Sequence, residues 1–202
     1  MLVDDLDGAL WSRGQLAALN STLQPVFDRI VVAVDPPVSH HAGSDACGIV
    51  VVGAILRGPV QEWRAMVLED ATLHPTSPMD WANRVVEAVE RHGADRVIAE
   101  VNQGGAMVEA ILRSQAPHIP YKAVHAREGK ITRAEPVAAL YEQGRVLHAR
   151  GLQDLEEQMC QMTSAGYQGS GSPDRVDALV WALQEVLIDP IKAWQNPRMR
   201  AL

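Results

Sequence analysis

Among its 202 residues the chain carries one phenylalanine, three tyrosines and two cysteines. Two thiols, Cys47 and Cys160, each in an apolar context, cannot build a disulfide framework. They read as buried free cysteines of a reducing compartment. Long apolar runs are also missing: none approaches the about 20 residues a membrane span requires. The N-terminus carries acids where a secretory signal would carry basic residues. Positive charge is scarce too, with 18 Lys and Arg against 25 Asp and Glu and a net charge of -7. That balance excludes an overall basic coat but leaves room for a local basic groove. No internal repeat interrupts the chain. The length suits one domain whose core needs no disulfide or metal in order to fold. A soluble, intracellular protein is expected.

What the chain does have is an organising stretch, Arg29 to Pro37, RIVVAVDPP. Its β-branched run lacks polar alternation, so it predicts a strand covered on both faces. Pro36 and Pro37 cannot continue a hydrogen-bonded ladder, which leaves Asp35 where a central strand opens into a loop. On this stretch alone two readings stand: a turn-capping acid, or a carboxylate placed for chemistry. Residues 1–28 read as a lead-in or linker with a short helix between Asp4 and Leu19. After a loop containing His40 and His41, strands are expected at Ala46–Ile55 and Gln61–Leu68, joined through Arg57-Gly58-Pro59 as a hairpin.

Ser77-Pro78 opens a helix with a serine cap and proline in the first position; Trp81, Val85, Val86 and Val89 mark its apolar face. RVIAE at Arg96–Glu100 predicts a second buried strand that ends on an acid. Helices follow after NQGG at Asn102–Gly105, across Ile131–Glu142 with Pro136 in its first turn, and at Leu152–Met162. A strand is expected at Tyr121–Val124, and Arg145–His148 reads as extended. The glycine- and serine-rich segment from Ser164 to Ser172 is expected to be a mobile loop, and a last helix runs from Pro173 to about Leu187. The expected fold is α/β: a mixed sheet of three antiparallel strands and then parallel ones, with helices on both faces. It would occupy residues 29–190, leaving 191–202 as a tail.

Right-handed crossovers put the Arg96–Glu100 strand parallel to, and beside, the Arg29–Asp35 strand. Asp35 and Glu100 would then share the carboxyl edge of the sheet, where open α/β sheets bind ligands. Two acids one strand apart repel unless a cation joins them, and oxygen-only ligation favours Mg²⁺ or Mn²⁺. Asp174 and Asp177 in S-P-D-R-V-D-A-L share a helix face. Asp174 has an alternative role as a first-turn acid complementing the helix dipole. Asp177 lies among apolar neighbours, where a buried acid needs a partner; if the chain were merely an α/β domain with scattered acids, it would face solvent. Asp45 is either a turn acid or a further ligand.

The segments VVAVDPP, DACGIVVVG, AEVNQGG, EGKITRAEPVAALYEQGRVLH, LEEQM and SPDRVDALVWAL together resemble the nuclease domain of phage, prophage and gene-transfer-agent-like terminase large subunits. That family has the ribonuclease-H-like fold. Even Ala9-Leu10-Trp11 is similar to the join with the motor domain. The resemblance implies that Asp35, Glu100 and Asp177 are catalytic and hold two metal ions, Mg²⁺ or Mn²⁺, with Asp174 and Asp45 near them. It implies endonucleolytic cutting of concatemeric double-stranded DNA during packaging, in the cytoplasm of a bacterial host. The implied partners are the motor domain, the small terminase subunit and the portal protein. This sequence departs from the full-length family in having no G-x-x-x-x-G-K-[ST], so no packaging motor is attributable to it; it is expected to be either an excised domain or a standalone remnant.

Arg127, Lys130, Arg133 and Arg145, with His148, form a local basic patch suited to phosphate contact without base readout. Asn102 and Gln103 either position a phosphate or make the turn. Two rivals are a structure-specific DNA resolvase of the same superfamily and a non-cleaving module that docks a portal or motor.

Overall fold

A computed structural model describes residues 5–22, 25–37, 46–74, 77–101 and 105–191, the side chains of 105 and 106 excepted. His40, His41, Asp45, Asn102, Gln103 and residues 192–202 lie outside the described residues. The expected central strand forms β1 (Arg29–Asp35), with Val31 to Val34 buried. Antiparallel to it runs β2 (Gly48–Ile55), and antiparallel to that β3 (Arg64–Asp70). On its other side β4 (Arg96–Glu100) lies parallel to β1, and β5 (Tyr121–Val124) parallel to β4. A short β6 (Val146–His148) closes the far edge parallel to β3, giving the order β5-β4-β1-β2-β3-β6.

Alternation along β1 explains why the sheet needs helices on both faces. Val31 and Ala33 enter one core, with α4 (Lys130–Glu142), α5 (Gln153–Cys160) and α6 (Asp174–Leu183). Val32 and Val34 enter the other, beneath α2 (Pro78–His92) and α3 (Gly105–Gln115). The α2 cap is the one its sequence specifies: the Asp80 carboxylate accepts the Ser77 backbone N–H at 2.7 Å, and Pro78 occupies the first turn. Both cysteines are free and buried. Among the described residues no helix is long and apolar enough to cross a membrane.

Several expected boundaries move, each for a local reason. β3 begins at Arg64 because Val60–Glu62 coils into a 3-10 turn, held where the Arg145 guanidinium donates to the Val60 and Trp63 carbonyls at 2.9 and 2.8 Å. The expected Asp4–Leu19 helix is only α1 (Arg13–Ala18), capped by Ser12, whose hydroxyl accepts the Gln15 N–H at 3.1 Å. Trp11 and Leu16 are fully buried in the first core, and the Ser21 N–H bonds the His148 carbonyl at 2.8 Å, so this stretch packs along β6. Pro136 sits in the second turn of α4, not the first. The glycine-rich segment starts inside a small hairpin, β7 (Met162–Thr163) and β8 (Gly166–Tyr167), pinned by the Thr163 hydroxyl donating to the Gly166 carbonyl at 2.8 Å.

Beyond Leu183, α6 passes into a π-helical turn, Gln184–Ile188. The turn buries Glu185 at the amino edge of the sheet, where it accepts Arg29 at 2.6 Å, Arg96 at 3.0 Å and Lys122 at 2.5 Å. These cations stand on β1, β4 and β5, so one carboxylate ties the end of α6 to three strands. Glu185→Gln leaves three partly shielded cations crowded together. It should cost about 3 kcal/mol, the low end for breaking a buried pair because the cations keep some water. For a chain of this size that is a fall in melting temperature of roughly 6–12 °C, readable by circular dichroism.

Candidate metal centre at the carboxyl edge of the sheet

β1 and β4 pair in register from Val31 with Arg96 to Val34 with Ala99. Asp35 and Glu100 are the next residues along, side by side at the ends of strands spaced about 4.8 Å apart. The third element, α6, crosses β1 and β2 and delivers its first turn to the same edge. This crossing is close. A Cβ on Gly48, the β2 partner of Asp35, would stand 2.0 Å from the Asp174 carbonyl oxygen. Asp174 and Asp177 are both buried, at 6% and 3% exposure, so Asp177 does not face solvent. The start of α6 is tied sideways as well: the Arg175 guanidinium donates to the Asp70 carboxylate at the end of β3 at 2.8 Å and reaches Asp154 on α5 at 3.4 Å.

The electrostatics follow from this crowding. Asp35 is half-buried, and the atoms packed round it push its carboxyl well above the ordinary range; the charges of Asp177, Glu100 and Asp174 push it further, with Lys130 opposing. Asp177 is raised too, chiefly by burial, although Lys130 and Arg133 pull it down. Lys130, the first residue of α4, bonds the Asp177 carboxylate and donates to the Ser172 hydroxyl at 3.0 Å. Burial alone would lower this ammonium, but Asp177, Asp35 and Asp174 hold it above its usual value. One turn on, the buried Arg133 reaches Glu100 at 3.5 Å and Asp177 at 3.4 Å and lies 4.6 Å over the ring of Trp181. The Trp181 indole N–H donates to the Glu100 Oε2 at 2.6 Å. Nearby, burial and then the charges of Asp35 and Asp174 raise the Cys47 thiol, keeping it a neutral neighbour.

Four carboxylates from β1, β4 and α6 therefore gather at one sheet edge, near enough for the charges of Asp177, Glu100 and Asp174 to act on Asp35. Their oxygen-only chemistry fits a hard divalent cation, and their mutual repulsion is the charge such an ion would neutralise. Lys130 and Arg133 supply part of that charge themselves. Among the described residues no group of three or more His, Cys, Asp or Glu side chains is close enough to hold an ion as it stands.

The expected basic patch divides. Arg127 and Lys130 are exposed, Lys130 on the Asp177 carboxylate, whereas Arg133 is buried between Glu100 and Asp177. Arg145 spends its guanidinium on backbone carbonyls at the other end of α4. His148 is fully buried, bonding Tyr141 and Glu156 at 2.8 Å each. Sequence reading missed Gly48, the Asp70–Arg175 tie and Trp181. Only Trp181 left a trace: it lies four residues after Asp177, hence on the same helix face. From Asp174 an open groove of about 400 Å³ runs past Gln158, Tyr167, Ser170 and Ser172.

A six-stranded mixed sheet with acids converging from β1, β4 and the terminal helix defines an RNase H-like domain. The chain belongs to the terminase RNaseH-like domain family, whose sequence pattern matches residues 32–185. Among solved structures it is similar to the nuclease domain of the large terminase subunit of bacterial virus Sf6 with manganese and beta-thujaplicinol, at 14% identity and TM-score 0.62, over 87% of this chain and 98% of that one. It is also similar to the large terminase nuclease from thermophilic phage G20c, at 17% identity and TM-score 0.56, over 78% and 82%. The same phage nuclease with bound magnesium aligns at 16% identity and TM-score 0.54, over 78% of this chain and 82% of that one. No curated protein sequence matches the chain.

Proposed function

We propose that this domain is a metal-dependent endonuclease that cuts double-stranded DNA during viral genome packaging. The observation that carries this reading is the convergence of Asp35, Glu100, Asp174 and Asp177 on one sheet edge, with burial and like charge raising the Asp35 carboxyl. Asp35, Glu100 and Asp177 would hold a pair of Mg²⁺ or Mn²⁺ ions, with Asp174 beside them. Such ions activate water at neutral pH and stabilise the attacking and leaving oxygens of a phosphodiester. The protein's own part is positional. β1 and β4 fix two carboxylates at adjacent strand ends, α6 brings the others over them, and the buried walls restrict water. Lys130, standing at the solvent-facing end of its contact with Asp177, is suited to release that carboxylate and approach a phosphate. Arg127, exposed ahead of α4, suits a second backbone contact. Neither reads bases, so little sequence preference is expected.

The same reading extends to a motor domain, a small terminase subunit and a portal as partners, in a bacterial cytoplasm. The direct check is cleavage of supercoiled plasmid in Mg²⁺ or Mn²⁺. Glu100→Ala and Asp177→Ala should each lower the rate by about a thousandfold, matching the several kcal/mol a metal supplies. Undiminished cutting by both variants would end this reading.

A further inference from the structure

Trp181 is placed as no other tryptophan of the described residues is. Trp11 and Trp81 are fully buried with their indole nitrogens lacking any partner, so burial of an indole here does not by itself secure an acceptor. Trp63 gives its N–H to a backbone carbonyl in a turn. Trp181, at 9% exposure, gives its N–H to the Glu100 Oε2 at 2.6 Å. A carboxylate at the end of a strand turns readily about its last torsion, and a strong bond to one oxygen fixes the plane of both. The ring does a second thing: its face seats the Arg133 guanidinium at 4.6 Å. Arg133 is thereby held flat between Glu100 and Asp177, although its Nε finds no acceptor.

We infer that Trp181 is a positioning residue of the metal centre: its N–H sets the Glu100 carboxylate, and its ring holds Arg133 between Glu100 and Asp177. This rests on the nuclease reading above. Phenylalanine keeps a ring for the core and a π face for Arg133 but has no N–H, so Trp181→Phe isolates the bond to Glu100.

Mn²⁺ binding measured by calorimetry tests the assignment without relying on cleavage. Losing an outer hydrogen bond to a metal ligand lowers affinity by about 10–100-fold, and that weakening is expected for Trp181→Phe. The midpoint of the Mn²⁺ dependence of plasmid cutting should shift by the same factor, with cutting at saturating Mn²⁺ retained. The melting temperature in EDTA should fall by several degrees, because the smaller ring leaves a void in the core and Glu100 loses a bond, so the affinities are compared at a temperature where both proteins are fully folded. If Trp181→Phe fails to fold, the benzothiophene analogue of tryptophan at position 181 makes the same comparison, since it keeps the bicyclic shape and lacks the N–H. Wild-type Mn²⁺ affinity in the variant overturns the role of Trp181 and leaves the nuclease reading intact. Absence of Mn²⁺ binding by the wild-type protein overturns both.

Discussion

Asp35→Asn should abolish metal-dependent DNA cleavage and, in the same protein without metal, raise its melting temperature at neutral pH. The two effects have one cause. Burial, then the charges of Asp177, Glu100 and Asp174, raise the Asp35 carboxyl well above 3.8, so the native state prefers it protonated. Whatever stability this carboxyl provides is fully present below about pH 3.8 and is lost as pH rises through its folded value. Asparagine is nearly the same shape and never ionises. The variant's advantage should therefore be absent near pH 4 and grow toward neutrality. Removing a carboxyl whose ionisation burial and three like charges oppose, with Lys130 offsetting only part, is worth about 1 kcal/mol, or roughly 2–4 °C for a chain of this length. Metal reverses the order. An ion bound only by the native state stabilises it by about 2.7 kcal/mol at a hundredfold excess over its dissociation constant, and only the wild type should gain this. Paired melts in EDTA and in Mg²⁺ across pH read all of it. An Asp35→Asn protein that is less stable than wild type in EDTA at pH 7 would contradict this view of the site.

Gly48→Ala should have a large effect on both stability and metal binding, though Gly48 has no side chain and carries no chemistry. An alanine Cβ would meet the Asp174 carbonyl oxygen at 2.0 Å, the Asp174 carbonyl carbon at 2.5 Å and the Ala178 Cβ at 3.3 Å. Two of these are backbone atoms of a helix already tied at Arg175 and at Glu185, so they cannot swing aside as the tip of a side chain would. Overpacking costs about 1–3 kcal/mol, and the upper end applies where the obstacle is backbone. A fall in melting temperature of roughly 6–12 °C follows. Relief of the clash lifts the first turn of α6, which carries Asp174 and Asp177, away from Asp35 and Glu100. Mn²⁺ affinity should therefore fall even at temperatures where the variant is fully folded. Alanine at Gly14, which has nothing within 4 Å, is the matched control with no such effect.

The strands and their edge were legible because β1 and β4 announce themselves: unbroken β-branched runs, each ending on an acid. The buried face of α6 could be read from the spacing of Val176, Leu179, Val180 and Leu183, and the burial of Asp177 from its apolar neighbours. Periodicity, however, reports which face is buried and not what it meets. Arg133 stands 44 residues before Asp177, so its ion pair depends on how α4 crosses α6. A basic residue beside a helix end reads as a phosphate contact, and Arg145, just past the end of α4, shows the weakness of that rule, since its guanidinium holds a turn 82 to 85 residues away. Gly48 was hidden for the same reason: in sequence it is one residue of an apolar strand, and its necessity exists only under the backbone of α6. Glu185 drew no reading from the sequence, because its partners Arg29, Arg96 and Lys122 are met only where the π-helical turn packs on the amino edge of the sheet.

The most direct measurement of the metal centre is anomalous diffraction from a crystal soaked in Mn²⁺. Density bounded by Asp35, Glu100 and Asp177, with the Lys130 ammonium drawn away from Asp177, is the predicted result. A soaked crystal with no Mn²⁺ at these carboxylates, and with Lys130 and Arg133 still bonded to Asp177, would contradict it.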